Sequence, residues 1–96
     1  MKAVRVFWQK ARVQDRYLLE MSIHQVGKSL RYPDGIKYGL ILADPKSGRR
    51  LLMDNHHPKG PHIHVDDREL PYDFINEDRL VEDFKLLALT FMGVKL

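Results

Sequence analysis

Cysteine is absent from the 96 residues of this chain. Its absence excludes disulfide bonds, thiolate metal sites and a cysteine nucleophile. A chain that has no thiols to oxidise is well suited to a reducing compartment, so we expect a cytoplasmic protein.

Long apolar runs are also missing. Charged residues interrupt the first 17 residues, MKAVRVFWQKARVQDRY, every few positions, which excludes the unbroken apolar segment of a signal peptide or a membrane span. The sequence has neither a P-loop nor a Gly-x-Gly-x-x-Gly motif, the usual signatures of nucleotide binding. We therefore expect no membrane partner, and a single domain over residues 1–96 with one modest core.

Alternation of apolar and polar residues predicts strands over residues 2–10, 17–26 and 36–43. Further strands are expected over residues 49–53, after a hairpin turn, and over residues 62–65. In the first of these five strands, Val4, Val6 and Trp8 are predicted to share one side of the strand and Arg5 to lie on the other. The segments YPDG and DPKSG flank the third strand and are typical of turns, because proline presets φ and Asp-Gly tolerates positive φ. The second of these turns predicts a hairpin.

Helical spacing replaces alternation after Asn76, which is predicted to be the N-cap of a helix that ends at Gly93. The predicted apolar stripe consists of Leu80, Phe84, Leu87, Ala88 and Phe91. Together these elements predict an α+β fold, in which an antiparallel meander of about five to six strands packs against one C-terminal α-helix.

Basic residues exceed acidic residues only slightly, 16 against 13, for a net charge of +3. Their distribution is uneven, because the basic residues crowd the first strand and the acidic ones crowd the last third. A basic half of a domain can attract phosphates. Two ordinary solvated surfaces would give the same distribution.

Four of the five histidines lie within the segment DNHHPKGPHIHVDD, residues 54–67. On a strand, His62, His64 and Asp66 would form a row on one face at spacings of about 7 Å. Two imidazoles and a carboxylate suit a divalent metal such as zinc, and an open coordination position would support hydrolysis. His-x-His also occurs on strands without metal, so the spacing is compatible with this alternative and not diagnostic of it.

The same segment has a metal-free interpretation, in which histidines cleave RNA by transferring protons. One histidine would take the proton of a ribose 2′-hydroxyl and another would protonate the leaving oxygen. The predicted catalytic residues are His57, His62 and His64. Cations are needed at the phosphate, and the predicted phosphate-binding residues are Lys59, Arg31, Arg49, Arg50 and Arg68.

A structural interpretation remains for the segment as well. Histidine, proline, glycine and aspartate are common in exposed loops, where imidazoles bind water or backbone groups. His24, isolated on a predicted strand, is interpreted as an ordinary strand residue.

The stretch from about Arg31 to Leu87 resembles the TumE-like family of small bacterial and phage proteins from two-gene toxin-antitoxin modules. The most specific part of the resemblance is the order of its motifs: Tyr-Pro-Asp-Gly at 32–35, Gly-x-Arg at 48–50, Asp-Asn at 54–55 and the cluster that ends in His62-x-His64. Longer members have extra residues between the Asp-Asn pair and the last histidines.

This resemblance implies a toxin that acts on RNA or translation and is inhibited by an antitoxin with a helix-turn-helix DNA-binding domain. The leading hypothesis is therefore a type II toxin with ribonuclease activity. The alternatives are a non-enzymatic module that binds nucleic acid or protein, and a metal-binding hydrolase. The apolar helix end LLALTFMGVKL exceeds what a small core can cover, so we expect a second copy of the chain or a bound antitoxin to cover it.

Overall fold

The computed structural model describes residues 4–96, so residues 2 and 3 of the first predicted strand lie outside the described part. The elements in chain order are β1 (Val4–Val13), β2 (Tyr17–Gln25), β3 (Ile36–Ala43), β4 (Arg50–Asp54), β5 (His62–Val65), β6 (Arg68–Pro71) and α1 (Glu77–Met92). They confirm the predicted α+β class with a single C-terminal helix. None of the helical structure within residues 4–96 has the length and apolar character needed to cross a bilayer.

All six strands form one sheet in the order β1-β2-β3-β4-β5-β6, and each neighbouring pair is antiparallel. Short turns join β1 to β2, β3 to β4 and β5 to β6, whereas longer loops at residues 26–35 and 55–61 join the other neighbours. The β1–β2 turn has Gln14 and Asp15 at φ 54° and 55°, the conformation that matches the twist of a hairpin. In the predicted YPDG turn, Gly35 has φ 73° and donates its N–H to the carbonyl of Tyr32.

The helix begins and ends where the sequence predicts. The side chain of Asn76 accepts a hydrogen bond from the backbone N–H of Arg79 at 2.8 Å, and Glu77 and Asp78 lie in the positively polarised first turn. Gly93 adopts the left-handed conformation at φ 66° and ends the helix. Leu80, Phe84 and Ala88 are the fully buried members of the predicted stripe.

One face of the sheet packs against α1, and we call it the covered face. Alternate residues of β2 to β5, such as Leu40, Leu42, Leu51 and Met53, are completely buried on it together with Phe84 of the helix. The other side of the sheet is the open face. It carries Ser22, His24, Lys37, Gly39, Ile41, Leu52, Asp54, His62, His64 and Glu69, which lie opposite one another in the strand register.

β1 departs from the predicted alternation. The register slips by one residue between Arg5 and Phe7, so Val6 forms a bulge and the residues on either side of it change face. Arg5 pairs with His24 and Trp8 pairs with Ser22, which puts Arg5 and Trp8 together on the open face. The prediction that they lie on opposite sides was wrong, because alternation along a sequence does not reveal an inserted residue.

A partly buried ion pair ties the β1–β2 turn to the β3–β4 turn. The guanidinium of Arg16 donates two hydrogen bonds to the Asp44 carboxylate, at 3.1 and 2.7 Å, and Ser47 donates a third. Asp44 is only 4% exposed. The hydrogen bonds from Arg16 and then from Ser47 hold the pKa of Asp44 well below its usual range, although burial opposes the shift.

This pair predicts a specific loss of stability in acid. Because the carboxyl pKa is lowered on folding, the stabilisation is present above the ordinary pKa of 3.8 and disappears as the pH falls below it. We expect Asp44→Asn to lower the melting temperature at about pH 6, and the difference from the unsubstituted protein to shrink steadily towards about pH 2. Melting curves across this range measure it, and a difference that stays constant with pH would contradict it.

Candidate functional site

Asn55 anchors the start of the histidine loop, residues 55–61. It is 5% exposed and follows β4 directly. Its Oδ1 accepts the backbone N–H of Tyr38 at 3.0 Å, and its Nδ2 donates to the carbonyl of Ile36 at 2.7 Å. The amide therefore satisfies two backbone groups at the start of β3 and fixes where the loop leaves the sheet.

Both ring nitrogens of His62 face oxygen atoms that can only accept hydrogen bonds. Nδ1 lies 2.7 Å from the carbonyl oxygen of Gly60, and Nε2 lies 3.1 Å from Oδ1 of Asp54, its cross-strand partner. A neutral imidazole has one N–H and can donate to only one of them. The contacts are both satisfied when the ring carries two protons, or when a cation lies between Nε2 and Asp54.

His64 stands beside His62 on the same face of β5. Their ring centroids are 4.7 Å apart and the rings are nearly perpendicular, at 85°. Glu69 of β6 lies directly opposite His64 in the register. One potential ligand atom from each of His62, His64 and Glu69 lies within 4.8 Å of the other two, so β5 and β6 bring two imidazoles and a carboxylate together.

Asp66 does not join this group, contrary to the expected row of His62, His64 and Asp66. It has φ 55° and lies in the turn after β5, where the strand alternation ends. Its carboxylate accepts hydrogen bonds from the side chain of Arg49 at 3.1 and 3.2 Å and from the backbone N–H of Arg50 at 3.1 Å. Those bonds lower its pKa and connect the two turns at the far end of the sheet. Glu69 supplies the carboxylate next to the histidines instead.

Lys59 reaches the cluster from the loop. Its Nζ donates to Glu69 Oε2 at 3.0 Å, and this hydrogen bond is the main reason why the pKa of Glu69 is lowered. Both side chains are about half exposed, so a phosphate could displace the carboxylate at modest cost. The predicted phosphate-binding lysine is therefore next to the predicted catalytic histidines.

His57 is exposed and precedes a cis peptide bond to Pro58. It lines a small cleft of about 260 Å³ together with Asp54, His56, Lys59 and His62. The structure thus brings His57 and His62 to one cleft, and His64 lies beside His62 on β5 but does not line that cleft.

The four predicted phosphate-binding arginines are dispersed. Arg31 is exposed in the loop between β2 and β3, which lies at the same end of the sheet as the histidine loop. Arg49 is bound to Asp66 at the opposite end. Arg50 shares the open face with Leu52, which pairs with His64, whereas Arg68 pairs with the inward-facing Val65. Arg50 and Arg31 remain the better placed of the four.

A second, larger cleft of about 520 Å³ adjoins the first on the open face. It reaches from β2 to the start of the histidine loop and shares Asp54 and His56 with the smaller cleft. Gly39 forms part of its floor, and a Cβ atom added there would meet nothing within 4 Å. Open space above the centre of a sheet is what a ligand lying across the strands requires.

Comparisons with known proteins give no relatives for this chain. No family model matches it, and neither a curated protein nor a solved structure matches it.

Sequence reasoning missed Asp54, Gly39 and Glu69 as parts of the site. Asp54 and Gly39 reach it through strand pairing with residues far away in the sequence, which no local motif records. Glu69 had a usable signal, because Asp66-Asp67 is a pair that tolerates a tight turn. A two-residue turn there would pair Val65 with Arg68 and set Glu69 opposite His64.

Proposed function

We propose that this protein is a ribonuclease toxin of a type II toxin-antitoxin module, and that His62 and His64 carry out the proton transfers. The observation that carries the proposal is the pair of adjacent imidazoles, one of them held between Asp54 and Gly60 and lining the smaller cleft together with Lys59. The resemblance of residues 31–87 to the TumE-like family supports the toxin role.

His62 is the better candidate for the general acid. With a proton on each nitrogen it donates Nδ1–H to Gly60, which fixes the ring, and keeps an Nε2 proton next to Asp54 at the edge of the smaller cleft. The leaving 5′-oxygen of the RNA would take that proton as its bond to phosphorus breaks. His57, exposed on the same cleft, is the alternative acid.

His64 is the candidate for the general base. It is partly exposed and lies against His62, so both groups can reach one phosphodiester. The base would take the proton of the ribose 2′-hydroxyl while the 2′-oxygen attacks phosphorus, giving a 2′,3′-cyclic phosphate and a free 5′-hydroxyl. Lys59, released from Glu69, would stabilise the negative charge that develops on the phosphate.

Metal-dependent hydrolysis is the second candidate, favoured by the grouping of His62, His64 and Glu69. Zinc accepts this donor set, and a bond from Nδ1–H of His62 to the Gly60 carbonyl is the usual orientation of a ligating histidine, with Nε2 left for the ion. Glu69 would have to give up Lys59. Glu69→Gln separates the candidates, because it would abolish metal binding and would change metal-free cleavage little.

The proposal includes a cognate antitoxin with a helix-turn-helix domain. It also places the protein in the cytoplasm, where it would encounter both the antitoxin and RNA. Exposed Leu86 and Leu89 on α1 are apolar surface that the antitoxin or a second copy of the chain would cover.

Induced expression in a bacterial host tests the proposal. We expect the unsubstituted protein to stop growth and to fragment total RNA, and the His62→Ala/His64→Ala double variant at equal expression to do neither. Lys85→Ala/Thr90→Ala is the matched control, because it changes two exposed residues of α1 on the other side of the sheet, and it should remain toxic. Equal growth with all three proteins would overturn the toxin role.

A further inference from the structure

Trp8 is the only tryptophan of the chain and lies on the open face with 51% of its surface exposed. The guanidinium of Arg5 lies 5.2 Å from the centre of its ring. This arrangement depends on the bulge at Val6, which moves Arg5 to the same face. An exposed indole paired with a guanidinium offers two flat surfaces for stacking.

A continuous row of paired residues connects Trp8 to the histidine cluster. Trp8 pairs with Ser22, Ser22 with Gly39, Gly39 with Asp54, and Asp54 with His62. Four strand spacings separate the ends of the row, a distance of about 19 Å. The middle of the row has small side chains, which form the floor of the larger cleft.

Three cationic side chains and one carboxylate flank this row: Arg5, Lys37, Lys10 and Glu20. On one side Arg5, His24 and Lys37 follow one another across β1, β2 and β3. On the other side Lys10 lies opposite Glu20 at 4.0 Å, in a pair that is largely exposed. Exposed pairs are weak, so Lys10 can exchange Glu20 for a phosphate.

We propose that the open face binds single-stranded RNA along the row from Trp8 to His62, with an unpaired base stacked at Trp8 and Arg5. This inference rests on the proposed function and adds the form of the substrate. Backbone phosphates lie against Lys10 and Lys37, and the scissile phosphodiester lies at the histidines. Duplex RNA is disfavoured, because its base faces are stacked on each other and cannot reach the indole.

The emission of Trp8 gives a direct measurement, since no other tryptophan contributes. The probe is a 2′-O-methyl oligouridylate of about ten nucleotides, which covers a typical single-strand site and has no 2′-hydroxyl to be activated for cleavage. We expect it to quench Trp8 upon saturable binding, and a blunt duplex of the same length and chemistry to bind at least about tenfold more weakly. Absence of quenching with the single strand would overturn the proposal.

Two substitutions test the stacking contact and a phosphate contact, with binding measured by the fluorescence anisotropy of a labelled oligonucleotide. Trp8→Ala should weaken binding by about 5- to 150-fold, the range measured for loss of one stacked base. Lys37→Ala should lower the slope of log affinity against log salt by about 0.7, whereas Lys85→Ala on α1 should leave it unchanged. Equal affinity for Trp8→Ala and the unsubstituted protein would contradict the stacking role.

The result is independent of catalysis, because the probe cannot be cleaved through a 2′-hydroxyl. Quenching without toxicity or RNA fragmentation would remove the ribonuclease and keep the binding face. A shift in Trp8 emission that depends on protein concentration alone would show that a second copy of the chain covers this face, and would overturn RNA binding there.

Discussion

His64→Ala is expected to lower the rate of RNA cleavage by about 10²- to 10⁴-fold, the usual contribution of a positioned general base. His64 is partly exposed and sits at the surface of β5, so its removal should leave the fold intact. Cleavage of a ribo-oligonucleotide under single-turnover conditions measures the chemical step. Binding of the 2′-O-methyl probe should change by less than about threefold, because the loss concerns the transition state.

Two further variants identify the other roles in cleavage. His62→Gln keeps a donor that can reach one of the two acceptors, Gly60 or Asp54, but has no proton to give to the leaving oxygen, and we expect a loss similar to that of His64→Ala. His57→Ala should retain nearly full activity if His62 is the acid. Full activity in His64→Ala, with the fold confirmed by its melting temperature, would exclude the proposed base.

Metal dependence would change this pattern in a recognisable way. If His62, His64 and Glu69 hold an ion, untagged protein purified without chelator should contain it in near-stoichiometric amount, and Glu69→Gln should lose it. In the metal-free mechanism Glu69 only restrains Lys59, so Glu69→Gln should cleave as fast as the unsubstituted protein or faster. Elemental analysis and cleavage in the presence of chelator therefore give opposite results for the two mechanisms.

The parts of this fold that sequence predicts are those governed by neighbours along the chain. The cap at Asn76, the end at Gly93 and the turn at Gly35 each depend on contacts within a few residues. Alternation and turn residues likewise predicted the positions of β2, β3, β4 and β5 to within one residue at each end. The chemistry at these positions is local, so a short window of sequence contains all of it.

The site was only partly predictable, because its geometry depends on pairing between strands. Residues 56–64 contain four of the histidines, yet the pairing of His62 with Asp54 and of His64 with Glu69 is set by the β4–β5 and β5–β6 registers. Asp66 failed as a member of the row because its positive φ ends the strand one residue earlier than the row required. The bulge at Val6 is similar, since a single inserted residue reassigns the face of Arg5 and thereby creates the surface at Trp8.

Asn55→Ala is expected to destabilise the protein by about 2 to 4 kcal/mol, because it leaves the N–H of Tyr38 and the carbonyl of Ile36 without partners in a buried site. For a domain of this size the melting temperature should fall by roughly 10 to 25 °C. Asn55 also directly follows Asp54, the last residue of β4, so its loss should loosen the residue that faces Nε2 of His62. Cleavage should therefore decline in Asn55→Ala even at temperatures where the protein remains folded.

Asn76→Ala is the matched control, since it removes the same side chain from an exposed helix cap with one hydrogen bond. It should lower the free energy of unfolding by about 1 kcal/mol. Cleavage should be unchanged, because the cap belongs to α1, which packs on the face of the sheet opposite the histidines. Chemical denaturation of both variants gives the comparison. If Asn55→Ala lowered the free energy of unfolding no more than Asn76→Ala, the amide would not anchor the loop. Of the Asp-Asn pair, only Asp54 would then have a role at the site.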